Sequence, residues 1–199
     1  MINLKKVRIY VQEVRMRKKI LGEKFFHRDA LEVAPDLVGK LIVRTFGDGS
    51  EVSLRITETE AYGGENDTAC HASKGRTERT EVLYGKAGTI YVYLCYGVHW
   101  LMNVITGEEG QPQGVLFRAC QTYDGPGKLT KKLGIDKSFN KESFCKDPRI
   151  RIEDDGYRPE IEKLPRVGID YATPEYRDIL WRFADKDRKT KAKEKKKNA

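Results

Sequence analysis

At 199 residues, 39% hydrophobic and 34% charged, the chain is long enough for one domain with a proper core and too short for two of ordinary size. No apolar run nears the roughly 18 residues that span a bilayer, so no membrane partner is expected, and the basic N-terminus lacks the apolar stretch of a signal peptide. The net charge of +8 suggests a polyanionic partner, yet residues 1–20 contribute +6 and residues 185–199 contribute +5, leaving −3 for the body.

The organisation this predicts is a basic arm over 1–20, one folded domain over 21–184, and a lysine-rich tail over 185–199. The tail has no apolar face and reads as disordered. Residues 1–20 alternate apolar and basic side chains at Val7, Ile9 and Val11, then lapse into Arg15, Arg17, Lys18 and Lys19, a weak strand or a frayed arm.

Phe25 and Phe26 are the first strong core anchors. Asp29 is a plausible N-cap for a short helix through Leu31, Ala34, Leu37 and Val38, with Gly39 as its stop and Pro35 limiting its regularity. A strand over 40–46 and a tight turn at Gly47-Asp48-Gly49-Ser50 follow. The next strand, Glu51–Tyr62, carries Val52, Leu54, Ile56, Glu58, Glu60 and Tyr62 at even positions. A strict period of two places Glu58 and Glu60 on the apolar face.

A glycine-rich, charged loop (63–88) leads to strand-prone runs at 89–96 and 100–106, separated by Gly97-Val98-His99, which read as a β-hairpin. Residues 113–121 read as a strand, and Gly125-Pro126-Gly127-Lys128-Leu129 as a turn into a short helix. Further strands are expected near 149–152 and 166–169, then a terminal helix or turn over 173–183 with Trp181 docking. Cys70, Cys95, Cys120 and Cys145 recur every 25 residues, but their flanks share nothing that would make a repeat. Without C-x-x-C or Cys/His spacing, free thiols of a cytosolic protein are expected, with no metal.

A glutamate on a buried strand face is paired, protonated or working. Arg118 is a candidate partner for Glu58 or Glu60. Tyr62 projects from the same face as both, which suits a general base beside an aromatic ring. Tyr91 and Tyr93 share a face, whereas Tyr96 stands at the hairpin tip, where packing explains it poorly and a wedge entering a base stack explains it better. A wedge with an aromatic pocket is what an enzyme needs to extrude a base and hold it.

Glu-Thr-Glu-Ala-Tyr (58–62), His71, Gly-Arg-Thr-x-Arg (75–79), Gly-Thr-Ile-Tyr-Val-Tyr-x-x-Tyr-Gly (88–97), Met-Asn (102–103), Val-Leu-Phe-Arg (115–118) and Gly-Pro-Gly-Lys-Leu (125–129) resemble the alkyladenine (3-methyladenine) DNA glycosylase family. The likeness runs from about Leu21 to Phe183, with Arg166-Val167-Gly168-Ile169 and Trp181-Arg182-Phe183 included. It implies an α+β fold, a single mixed domain around a curved antiparallel sheet with a protruding hairpin that enters the minor groove. It also implies Glu60 as the base that activates water, helped by Arg118. Tyr62, His71 and Tyr93 would surround the flipped base, and Asn103 would exclude the exocyclic amino group of guanine. Tyr96 would fill the gap in the duplex, with Val98 beside it at the hairpin tip and Arg76, Thr77 and Arg79 against the DNA.

The expected substrate is double-stranded DNA carrying 3-methyladenine, 7-methylguanine, hypoxanthine or ethenoadenine. Cationic alkylpurines suit tyrosine faces, and an anionic Glu60 suits an oxocarbenium-like sugar. No lysine lies within the core motifs where an imine-forming nucleophile would be expected, so a monofunctional enzyme is expected, monomeric and without a cofactor. It would act at the nucleoid of a bacterium or in a eukaryotic nucleus. Two other readings stay open: a non-catalytic nucleic-acid module with stacking tyrosines, and a metal-dependent phosphodiesterase using Glu58, Glu60, Glu65 and Asp67.

Overall fold

The computed structural model describes residues 18–188. The arm through residue 17 and the tail from residue 189 lie outside these described residues. Within them the chain forms β1 (Lys19–Ile20), α1 (Glu23–Phe26), α2 (Ala30–Leu37), β2 (Leu41–Thr45), β3 (Glu51–Tyr62), β4 (Ile90–Cys95), β5 (His99–Ile105), β6 (Gly114–Cys120), β7 (Tyr123–Asp124), α3 (Pro126–Leu133), β8 (Ile150–Asp154), β9 (Ile161–Leu164), α4 (Pro174–Arg177) and β10 (Arg182–Asp185). This is a mixed α/β architecture around one large antiparallel sheet, ordered β1-β8-β2-β3-β6-β5-β4, with β10 also on β3 and β9 on β10.

Local chemistry sets the helices. Asp29 caps α2 by accepting from Leu31 N at 2.8 Å, and Pro35 is tolerated inside a helix of only eight residues. α3 starts with Pro126 in its first turn and ends at Gly134 in the left-handed conformation. Both helices pack on the sheet. Their apolar faces join Phe26, Phe117 and Phe144, whose rings meet at 5.5–6.3 Å, in the main core. Each such buried ring contributes roughly 1.5–3 kcal/mol relative to exposure.

β3 organises the rest. Its first half pairs with β2, and its second half lies between β6 and β10. The β3–β6 register slips twice, between Ile56 and Glu58 and again between Glu58 and Thr59. The pairings leave Thr57 as the extra residue on β3 and Arg118 as the extra residue on β6, so the slips cancel.

This pair of irregularities corrects the expectation that Glu58 and Glu60 continue the apolar face. Leu54 and Ile56 enter the main core, but beyond the slip it is Ala61 that does so, and Thr59 Oγ1 donates to Ala34 O of α2 at 2.8 Å. Glu58, Glu60 and Tyr62 are thereby turned to the opposite face. Both faces are covered there, and Glu60 is fully buried.

Residues 166–169, expected as a strand, form a loop, and the neighbouring strand is β9 instead. Sheet pairing also runs past residue 184. Asp185 belongs to β10, while Lys186 and Arg188 form ion pairs with Glu160 and Glu162.

Candidate active site

The site is a buried carboxylate beside an aromatic cavity. Glu60 Oε2 accepts from the Tyr62 hydroxyl at 2.9 Å, and Oε1 accepts from Val167 N at 3.1 Å. Arg118 Nε lies 3.4 Å from Oε1. Burial pushes the Glu60 carboxyl above its ordinary range, opposed by Arg118, the Tyr62 hydroxyl and the Val167 N–H. An isolated carboxylate would lose its charge in such surroundings. Three donors oppose that upward shift and favour the charged form without cancelling it.

Tyr62, His71, Tyr93 and Asn103 line one cavity, with Cys70, Tyr91 and Tyr171 among its other walls. β4 and β5 supply its floor, because Tyr91 and Tyr93 share a face and Asn103 pairs with Tyr91 across the hairpin. Their Tyr rings lie 5.3 Å apart, and the His71 ring meets Tyr93 edge-on at 4.6 Å. Asn103 Nδ2 donates to Tyr91 O at 3.2 Å, which fixes the amide at the base of the pocket.

His71 sits at the start of a short 3-10 helix (His71–Lys74), its Nδ1 2.9 Å from the Tyr91 hydroxyl. Burial, Arg79 and Lys74 lower its pKa to about 4, so the ring is neutral at physiological pH.

The other expected contact residues lie elsewhere. Tyr96 and Val98 project from the β4–β5 turn, 92% and 70% exposed, outside the cavity. Tyr96 takes a positive φ of 50°, a left-handed conformation unusual for a residue with a side chain. Arg79 stacks over Tyr93 at 5.5 Å, Arg76 is held by Glu81 at 2.7 Å, and the Thr77 hydroxyl meets that of Thr80 at 2.9 Å.

Each of the other three carboxylates once considered together is engaged separately: Glu58 by Arg182 at 2.6 Å, Glu65 by the Tyr84 hydroxyl at 2.5 Å, and Asp67 by Arg166 at 2.6 Å. Among the described residues no group of three His, Cys, Asp or Glu side chains is arranged to hold a metal. The cysteines of the described residues are free, and one of them, Cys70, lines the cavity.

Sequence reasoning missed Tyr171, which stands at the cavity wall with its hydroxyl donating to Ala69 O at 2.9 Å. No periodicity pointed to it. Tyr91 was signalled by sharing a strand face with Tyr93, and the Arg166–Asp67 pair was not foreseen.

The family model for methylpurine-DNA glycosylase matches residues 24–125 and 120–189. A protein of Nitrosococcus oceani whose name is that of a 3-methyladenine DNA glycosylase is 41% identical over 187 residues, covering 84% of this chain and 90% of the relative. A DNA-3-methyladenine glycosylase of Arabidopsis thaliana is 38% identical over 192 residues, covering 85% of this chain and 72% of the relative.

Proposed function

The chain belongs to the methylpurine-DNA glycosylase family, and from that premise we propose that it excises alkylated or deaminated purines from duplex DNA with a water activated by Glu60. It is a hydrolase acting on N-glycosyl bonds, with a role in DNA repair. The observation that carries the finer reading is Glu60, fully buried, contacted by three donors, and bonded to the hydroxyl of Tyr62, which lines the cavity although Glu60 itself does not.

In this reading the hairpin tip enters the duplex, and Tyr96 fills the space left by the extruded nucleotide. The purine is held among Tyr62, Tyr93 and His71, with Asn103 against the position that carries the exocyclic amine of guanine. Cleavage of the glycosidic bond leaves an oxocarbenium-like sugar, which the Glu60 carboxylate stabilises. Water then adds its hydroxyl to the anomeric carbon and gives its proton to Glu60. An N-alkylated cationic purine departs as a neutral base, leaving an abasic site with both strands unbroken. His71 is neutral at physiological pH and so brings no acidic proton to the departing base.

The test is a duplex with one hypoxanthine, incubated with the protein in EDTA and then treated with alkali. Cleavage at the lesion only after alkali is the expected result. Cleavage without alkali overturns monofunctional chemistry. Binding without any alkali-sensitive product supports a non-catalytic module instead.

A further inference from the structure

The Arg166-Val167-Gly168-Ile169 motif stands out in the sequence, and no step of the reaction above uses its arginine. Arg166 is fully buried, as is its partner Asp67. Nη1 donates to Asp67 Oδ2 at 2.6 Å and to Ala61 O at 3.0 Å. Nη2 donates to Asp67 Oδ1 at 2.8 Å and to Tyr176 O at 3.0 Å. The guanidinium lies 4.8 Å from the Tyr62 ring and 5.1 Å from the Trp181 ring. Asp67 in turn accepts from Gly63 N and Ala69 N, each at 3.0 Å.

Three separate segments therefore meet at one ion pair: the end of β3, the loop that leads to His71, and the loop that carries Val167. Arg166 binds the carbonyl of the residue next to Glu60, packs on Tyr62, and directly precedes the amide that donates to Glu60. It does not line the cavity, so it meets Tyr62 away from the base site. Its Nε is buried without an acceptor.

We infer that Arg166, locked by Asp67, is a positioning residue that sets the Glu60 carboxylate for reaction by fixing the Val167 amide and the Tyr62 ring against it. The inference rests on Glu60 being the base. Other groups also face Glu60: Arg118 from β6, Tyr93 from β4, Glu58 and Tyr62 from its own strand, and Arg182, its register partner on β10, whose guanidinium goes to Glu58. None of these is altered by the test.

Lysine at 166 keeps the charge and loses the planar fork that grips two carbonyls and a carboxylate at once. With the Val167 amide loosened, the Glu60 carboxylate loses a donor. In single-turnover excision of hypoxanthine across a pH series, Arg166→Lys should move the acid limb up by about half a pH unit and lower the plateau roughly 10-fold, with lesion affinity within about 3-fold. A purely structural residue would lower the active fraction at every pH and leave the limb in place.

The double substitution D67N/R166Q buries no net charge and serves if the lysine variant does not fold; the same upward shift is expected. A folded variant whose acid limb stays at the wild-type pH overturns the inference. Glu60→Gln separates the two levels. Retained turnover there removes the base assignment itself, whereas a dead Glu60→Gln with an unmoved limb in the Arg166 variants removes only the positioning role.

Discussion

Tyr62 donates its hydroxyl to the carboxylate two residues behind it on the same strand, at 2.9 Å from Glu60 Oε2. One side chain thus serves as cavity wall and as a donor that favours the charged form of the base. Tyr62→Phe keeps the ring and deletes the donor, so the Glu60 pKa should rise. The acid limb of excision should follow it upward, with a loss of about 10-fold at neutral pH. Glu60→Gln should bind a lesion duplex and lose about 10²–10⁴-fold in excision. Single-turnover kinetics with gel-shift binding measures both. An unmoved limb in Tyr62→Phe would detach the hydroxyl from the ionisation of Glu60.

Glu58 has a different task. It is buried, bonded to Arg182 at 2.6 Å, with Arg188 at 3.9 Å. Glu58→Gln leaves Arg182 with a weaker acceptor in a partly buried place. Stability should fall by about 1–3 kcal/mol in urea unfolding, while excision per folded molecule stays within about 10-fold. A loss of excision as deep as that of Glu60→Gln, without a loss of stability, would move the chemistry to Glu58.

His71 is lowered from 6.5 to about 4, by burial first and then by Arg79 and Lys74. The unfolded chain takes a proton as pH falls through 6.5, while the folded ring resists until about 4. Stability from the neutral ring is therefore complete above the upper value and is lost as pH falls through this window. Urea midpoints should decline across it, and His71→Gln should flatten the decline. An equal decline in the variant would assign the loss to other groups.

Tyr96 combines high exposure with a left-handed backbone. Tyr96→Gly removes the conformational strain but also gives the unfolded chain more freedom, two effects of about 1 kcal/mol each and of opposite sign. The melting temperature should therefore hardly move, while affinity for a lesion duplex falls by at least about 10-fold. Unchanged lesion affinity would exclude the hairpin tip from the DNA interface.

Much of this was legible in local sequence. The limits of β3, the Asp29 cap, the β4–β5 hairpin and the helix after Gly125 follow from periodicity and turn chemistry, which are short-range. The facing of Glu58 and Glu60 was not, because it depends on slips against β6, more than fifty residues away in sequence. Residues 166–169 have strand-like composition. Yet Arg166 gives its donors to Asp67 and two carbonyls, and Val167 N goes to a side chain, which leaves no strand pairing there. β9 was passed over because its charged residues, Glu162 and Lys163, are exposed at the sheet edge. The clustering of Tyr62, His71, Tyr93 and Asn103 came from resemblance; Tyr171 lies outside the motifs that carried it.

The cancelling slips at Thr57 and Arg118 have a consequence for how this sequence can change. Deleting Thr57, the extra residue, would leave Leu54, Ile56, Thr59 and Ala61 alternating strictly on one face and keep Glu58, Glu60 and Tyr62 on the other. Removing Arg118 as well would mend the pairing of β3 with β6 but take away the guanidinium that lies 3.4 Å from Glu60 Oε1. At the present strand length the slip is what faces the site correctly: with Thr57 drawn into a regular ladder, Glu58, Glu60 and Tyr62 would turn toward the phenylalanines.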